Sequence, residues 1–252
     1  MKTYLIDLDG TLFRGHTIID GAIEFLENIK KHHHNYIFLT NNSSRTHQQN
    51  VQHMTSLGFE NITADSFFTS SMAAAKHIAK ISDKRNAYMI GKDGLQEALL
   101  EEGFQLVDKD VDFVFVGLNK EGSYPYYSKA LKHLQQGAKL VGTNNDRLLA
   151  TDTGFSLGNG SIVAMFEYAS NQKSVQIGKP YKVMLDECLD FIQCRKDEVV
   201  LVGDNLDTEI KLGLDYDVET IFVETGVHSF DDLKKLDKQP TQCVKTLHDV
   251  IF

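Results

Sequence analysis

Short apolar runs, each closed by a glycine or a polar residue, recur along the chain: Tyr4–Leu8, Tyr36–Thr40, Ala87–Gly91, Phe113–Gly117, Lys139–Thr143, Ser174–Gly178, Val199–Gly203 and Thr220–Glu224. Runs of this length, rich in β-branched and aromatic residues, predict strands buried on both faces. Between most of them apolar residues fall three or four apart, as in Ile23, Leu26, Ile29; Val51, Met54, Leu57; Leu95, Ala98, Leu99; Tyr127, Leu131, Leu134; and Leu185, Cys188, Leu189, Ile192. That spacing predicts helices with one face on a core. Gly58, Gly103 and Gly137 sit where three of these helices should stop. The alternation predicts an α/β protein with a doubly wound, Rossmann-like parallel sheet covered on both faces by helices.

The pattern breaks at the polar stretch Ile81–Asn86 and again at Gly178-Lys179-Pro180. The segment between has strands of its own, enough for a second, smaller α/β layer. The expected organisation is a core formed by 1–82 plus 178–252, with 83–177 inserted into it. A chain of 252 residues can bury such a core, as one large domain or two modest ones, and 42% apolar with 24% charged residues is ordinary globular composition.

Charge narrows the partners. A net charge of −9, from 26 basic and 35 acidic residues, argues against a nucleic-acid polymer or a membrane surface as partner. A small anionic substrate stays compatible, because one lysine or a bound cation reverses the field inside a single cleft. Cys188, Cys194 and Cys243 form no CxxC and leave an odd count, which suits a reducing compartment. The amino terminus lacks a signal-peptide pattern, and no stretch approaches the ~18 apolar residues of a membrane span. A cytoplasmic protein is expected; oligomeric state is left open.

Four strand ends carry candidate chemistry. The first run ends in Asp7-Leu8-Asp9-Gly10-Thr11. Unpaired carboxylates are poor core residues, but they suit the carboxyl edge of an open sheet, where ligands bind. In an extended backbone Asp7 and Asp9 would point to one side and Leu8 to the other. Such a pair can hold a cation or divide the roles of nucleophile and proton carrier; a surface Asp-x-Asp-Gly turn has the same composition. The second station, Thr40-Asn41-Asn42-Ser43-Ser44, precedes a predicted helix and reads either as an anion site or as an N-cap using Ser43 or Ser44. The third is Gly178-Lys179-Pro180, with proline pre-setting the next helix and lysine serving either an anion or the surface. The fourth, Gly203-Asp204-Asn205-Leu206-Asp207-Thr208-Glu209, repeats the logic of the first, with Asp204 as a further ligand for a hard cation such as Mg²⁺. His32-His33-His34 lies at a helix end, where consecutive side chains diverge, so it is not assigned to a metal.

Taken together, the four stations resemble the haloacid dehalogenase superfamily of phosphohydrolases, and within it the NagD-like branch with a large inserted cap of type IIA. Asp7-Leu8-Asp9-Gly10-Thr11-Leu12 matches the DxDGT motif, Thr40-Asn41-Asn42-Ser43 the second motif, Lys179-Pro180 the third and Gly203-Asp204-Asn205 the fourth. Gly158-Asn159-Gly160-Ser161 is similar to the GxGS segment of the branch, and it lacks the third glycine of a dinucleotide fingerprint. One position departs: the branch has Asp where this chain has Glu209, so Glu209 is expected to order metal-bound water rather than ligate directly. Asp207 reads as a surface acid.

The resemblance implies Mg²⁺-dependent hydrolysis of phosphate monoesters through an aspartyl-phosphate, on small phosphorylated metabolites such as nucleoside monophosphates, sugar phosphates and aryl phosphates. Asp7 would be the nucleophile and Asp9 the acid–base. Asp7, the backbone carbonyl of Asp9 and Asp204 would hold the metal, and Thr40, Asn41, Asn42 and Lys179 would bind the phosphoryl group. Segment 83–177 would be the lid, with Asn144, Asn145 and Asp146 expected to touch the substrate. A phosphotransferase or mutase would use the same groups. A dehalogenase has no use for Asp9 or Asp204, and a catalytically silent binding protein has no use for a full reactive set.

Overall fold

The computed structural model describes residues 1–151 and 154–252. Two large sheets, of six and four strands, hold most of the strands. The larger has six strands in the spatial order Gln242–Val244, Glu219–Val223, Val199–Gly203, Thr3–Ile6, Asn35–Thr40 and Phe67–Thr69. The first five of these run parallel. The chain starts at Thr3–Ile6, builds outward through Asn35–Thr40, and later returns to Val199–Gly203 on the other side of the first strand. Strand order therefore reverses between Thr3–Ile6 and Val199–Gly203, and such a switch point opens a crevice at the carboxyl ends of the strands. Both strands are buried along their whole length, which explains their unbroken apolar sequences.

The chain separates into two compact units. The first comprises Met1–Thr40, Asn50–Phe68 and Cys188–Phe252. Its core is built from Tyr4, Ile6, Phe25, Ile29, Phe38, Phe67, Val200, Val202 and Ile221; the helix Ala22–Lys31 buries Leu26 and Ile29 as the spacing predicts, adds Phe25, and leaves Ile23 half-buried. The His32–His34 stretch follows that helix: His32 stacks on Phe252 and the His34 ring lies against Tyr4. Their rings serve different neighbours, as expected of consecutive residues at a helix end.

The second unit comprises Asn41–Gln49 and Thr69–Glu187. It holds a four-stranded parallel sheet ordered Gln105–Leu106, Asn86–Ile90, Phe113–Val116 and Lys139–Gly142. Tyr88, Ile90, Val114, Val116, Leu134, Leu140 and Phe166 pack its core. The helix Ser70–Ile81 starts at Thr69, whose hydroxyl accepts the Met72 N–H at 3.2 Å. Gly58, Gly103 and Gly137 all carry positive φ after helices, as the pattern predicts.

Several local expectations change. Ser174–Gly178 does not form a strand; only Val175 makes an isolated bridge, to Val141. The helix after Lys179-Pro180 begins at Lys182, so Pro180 precedes its first turn rather than setting it. The helix after Thr40-Asn41-Asn42 begins only at His47, and its cap is Thr46, which accepts the Gln49 N–H at 3.1 Å while Gln49 Oε1 accepts the Thr46 N–H at 2.9 Å. Ser43 and Ser44 are therefore not its caps, and the Thr40–Asn42 stretch does not lie at a helix N-terminus. Short pairings that apolar runs cannot announce also appear, among them Phe13–Arg14 with Thr17–Ile18, Leu148–Thr151 with Gly154–Leu157, and the edge strands Phe67–Thr69 and Gln242–Val244.

Candidate active site

The first station does not continue as extended chain. The strand ends at Ile6, and the Leu8 carbonyl accepts the N–H groups of Thr11, Leu12 and Phe13 at 3.3, 2.9 and 3.3 Å. This tight turn separates the two acids: Asp7 is buried, while Asp9 is exposed and sits on the bend. The predicted same-side arrangement of the two side chains assumed a strand that has already ended. Different surroundings for the two carboxylates are what distinct nucleophile and proton-carrier roles would need.

Asp7 leaves Thr3–Ile6 and Asp204 leaves the neighbouring strand Val199–Gly203, so both stand at the switch point. Asp7, Asp204 and Glu209 each offer a carboxylate oxygen, and these oxygens lie within 4.8 Å of one another. Glu209 reaches the cluster from a π-helical turn, Leu206–Ile210, and is buried. The pattern had set Glu209 back as an indirect contributor; the structure brings it alongside the other two. Asp207 is exposed on the same turn, near His228, and stays outside the cluster.

Asp204 is the most enclosed of the three. Thr11 donates its hydroxyl to Oδ1 at 3.1 Å, and the Val227 backbone N–H donates to Oδ2 at 2.7 Å. Burial raises the Asp204 pKa, the nearby Glu209 raises it further, and the two hydrogen bonds only partly oppose this, leaving it at about 6. Gly10 belongs to the same cradle. Its φ is 95°, and a Cβ there would lie 2.6 Å from Asp204 Oδ2, so this position accepts only glycine without displacement. Its carbonyl accepts the Thr225 hydroxyl at 2.7 Å.

Three carboxylates whose oxygens lie within 4.8 Å of one another repel, and the raised pKa of Asp204 carries the mark of that crowding. A hard divalent cation with oxygen ligands resolves that repulsion, so the residues present fit a metal of this kind.

In the second unit Lys179 is also buried, and Asn41 closes on its backbone. Asn41 Oδ1 accepts the Lys179 N–H at 2.8 Å, and Asn41 Nδ2 donates to the Lys179 carbonyl at 3.1 Å. Asn42 turns its side-chain carbonyl to Ser44, accepting the N–H at 2.9 Å and the hydroxyl at 2.7 Å. Thr40 is buried at the end of its strand. The sequence motifs marked Thr40, Asn41 and Asn42 as one group; their side chains are engaged differently. Gly10 and Thr11 stand in the first motif without an assigned role, which their contacts with Asp204 now supply; Val227 lies outside every motif, and only its proximity to Asp204 reveals it.

A parallel α/β fold with an acidic, cation-ready centre at its switch point defines the class of protein. Residues 4–105 match the model of haloacid dehalogenase-like hydrolases, and residues 176–250 match a second HAD-hydrolase-like model. The chain is 36% identical to an acid sugar phosphatase of Staphylococcus haemolyticus, over 99% of this chain and 95% of that one. It is 34% identical to the 5'-nucleotidase YutF of Bacillus subtilis, over 99% and 97% of the two chains. Among solved structures it is similar to a mutant thermostable NPPase from Geobacillus stearothermophilus (TM-score 0.91, 37% identity, 100% of both chains). It is likewise similar to NagD from E. coli K-12 (TM-score 0.91, 30% identity, 100% of this chain and 98% of that one). The chain belongs to the haloacid dehalogenase-like hydrolases, in their NagD-like, type IIA branch.

Proposed function

We propose that this phosphatase hydrolyses small phosphate monoesters with Mg²⁺, through a phosphoryl group carried on Asp7. The observation that carries the reading is the convergence of Asp7, Asp204 and Glu209 at the sheet's switch point. Relatives named for sugar phosphates and for 5'-nucleotides support sugar phosphates and nucleoside monophosphates as substrates, and the NPPase likeness supports p-nitrophenyl phosphate.

Asp7 attacks phosphorus with a carboxylate oxygen as the bond from phosphorus to the leaving oxygen breaks, and Asp9 delivers its proton to that oxygen. Asp9 then takes a proton from water, whose oxygen attacks phosphorus; the bond to Asp7 breaks and inorganic phosphate leaves. The exposure of Asp9 suits a group that exchanges protons with water, and the burial of Asp7 suits one that must not. Asp7, Asp204, Glu209 and the Asp9 carbonyl would hold the metal, which when bound neutralises charge on the transferring phosphoryl group. Thr40, Asn42 and Lys179 serve that group as hydrogen-bond and charge partners, with Asn41 beside the lysine.

The six-stranded sheet draws all its strands from 1–82 and 178–252, and the four-stranded sheet all of its own from 83–177. That division supports a catalytic core with an inserted cap selecting the leaving group. Three free cysteines fit a reducing, cytoplasmic setting, and among the described residues no helix is long and apolar enough to cross a membrane. The net charge of −9 favours small-molecule partners over nucleic acid or membrane.

The test is release of inorganic phosphate from a panel of phosphorylated sugars, nucleoside monophosphates and p-nitrophenyl phosphate, with Mg²⁺ and with a chelator. Metal-dependent release from at least one compound is expected. Undiminished release under chelation would overturn the metal's part, and no release from any compound would overturn the substrate class.

A further inference from the structure

Three residues distant in sequence form one chain of contacts within the second unit. Asn41 Nδ2, which donates to the Lys179 carbonyl, also faces both oxygens of Asp146, at 3.2 and 3.1 Å. Asn144 Nδ2 donates to Asp146 Oδ2 at 2.7 Å. An ionised carboxylate only accepts hydrogen bonds. Asp146 therefore admits a single orientation of the Asn41 amide, with nitrogen toward the carboxylate and oxygen toward the Lys179 N–H. The flipped amide would set oxygen against oxygen at Asp146 and lose both bonds to the Lys179 peptide.

The loop bearing Asp146 is held just as closely. Asn159 Nδ2 reaches Asn144 Oδ1 at 3.1 Å and the Val116 carbonyl at 3.0 Å, and the Gly160 N–H donates to the Asp146 carbonyl at 2.9 Å. A Cβ at Gly158 or Gly160 would overlap the carbonyl of Asp146 or Asn145. The Gly158-Asn159-Gly160 segment is thus a seat for this loop.

We infer that Asp146 is a positioning residue for Lys179: it sets the Asn41 amide, and the Asn41 amide fixes the lysine backbone from both sides. The inference rests on the phosphoryl role given to Lys179 above. For Asp146 it stands as an alternative to the expectation from the sequence that this residue touches the substrate, and the two differ in what they predict. A substrate contact discriminates among leaving groups. A residue acting through Lys179 affects the phosphoryl group, which every substrate shares.

The experiment measures the affinity of inorganic phosphate by calorimetry with Mg²⁺, and kcat/KM for p-nitrophenyl phosphate and for one sugar phosphate. The variants are Asp146→Ala, Asp146→Asn, Asn41→Ala, Lys179→Ala and the pair Asp146→Ala/Lys179→Ala. Asp146→Ala should weaken phosphate binding about ten- to a hundredfold and lower both kcat/KM values by the same factor. Asp146→Asn keeps one acceptor for two donors and should fall between Asp146→Ala and the parent protein, which also covers the case in which the alanine variant does not fold. In the Lys179→Ala background, Asp146→Ala should add nothing to the loss. A loss confined to one leaving group, or a full additional loss in that background, would overturn the inference while leaving the role of Lys179 standing. Unchanged phosphate affinity in Lys179→Ala alone would overturn the lysine's role first, and the inference with it.

Discussion

Val227 donates its backbone N–H to Asp204 Oδ2 over 2.7 Å, from a segment that follows the next strand of the sheet, Glu219–Val223. With the Thr11 hydroxyl on the other oxygen, this fixes a carboxylate that burial would otherwise drive toward protonation.

That balance makes stability depend on pH. The Asp204 pKa rises from 3.8 to about 6 on folding, so between these values the folded state binds more protons than the unfolded one. Its stabilising effect is fully present below the unfolded pKa and is lost as pH rises through the folded one. The loss for the metal-free protein is on the order of 3 kcal/mol between about pH 4 and about pH 6. In thermal unfolding with a chelator, the Tm of the parent relative to that of Asp204→Asn should fall over that range, and Mg²⁺ should raise the parent Tm more at neutral pH than near pH 4. The Asp204→Asn variant should lose this part of the dependence; an unchanged profile in that variant would contradict the assignment.

Glu209 and Asp207 separate sharply. Glu209→Gln removes one of three clustered carboxylates and should weaken Mg²⁺ binding about ten- to a hundredfold by calorimetry. Asp207→Asn changes an exposed side chain outside the cluster and should leave the affinity within about twofold. Equal effects from the two would refute the placement of Glu209.

Gly10→Ala places a methyl group 2.6 Å from Asp204 Oδ2 at a left-handed φ of 95°. The expected cost is about 2–4 kcal/mol by denaturant unfolding, with weakened Mg²⁺ binding in whatever fraction folds. Parent-like stability would show that the turn has room the structure does not display.

Glu187 tests a purely structural ion pair. It is buried and takes Lys80 Nζ at 2.5 Å and His77 Nδ1 at 3.5 Å. Glu187→Ala should destabilise by about 1–3 kcal/mol, because it empties a buried position and removes the acceptor of the Lys80 and His77 contacts, while the half-exposed Lys80 is rehydrated. Hydrolysis measured well below Tm should stay near the parent rate.

The parallel sheet was legible because its central strands are buried on both faces and so are written as continuous apolar runs, such as Val199–Gly203. Ser174–Gly178 carries a similar pattern, yet among the described residues its backbone meets its neighbour only through the Val141–Val175 bridge and the Gly178 N–H on the Thr143 carbonyl, and composition does not reveal pairing. Asp7 and Asp204 stood out because acids at strand ends need a reason. Glu209 was legible only as an indirect contributor through metal-bound water, since its approach to the other two depends on a π-helical turn that spacing alone does not signal. The clasp of Asn41 on Lys179 joins residues 138 apart, and its partner Asp146 lies 105 residues from Asn41, beyond any local pattern.

The proposed reaction passes through a covalent phosphoryl group on Asp7. Acid quenching of the enzyme during turnover of p-nitrophenyl phosphate with Mg²⁺, followed by peptide mass spectrometry, reads this directly. One phosphoryl group is expected on the peptide containing Asp7, with neither adduct nor turnover in Asp7→Asn, which should still fold. Full turnover by Asp7→Asn, or a phosphoryl group trapped on a different residue, would contradict it.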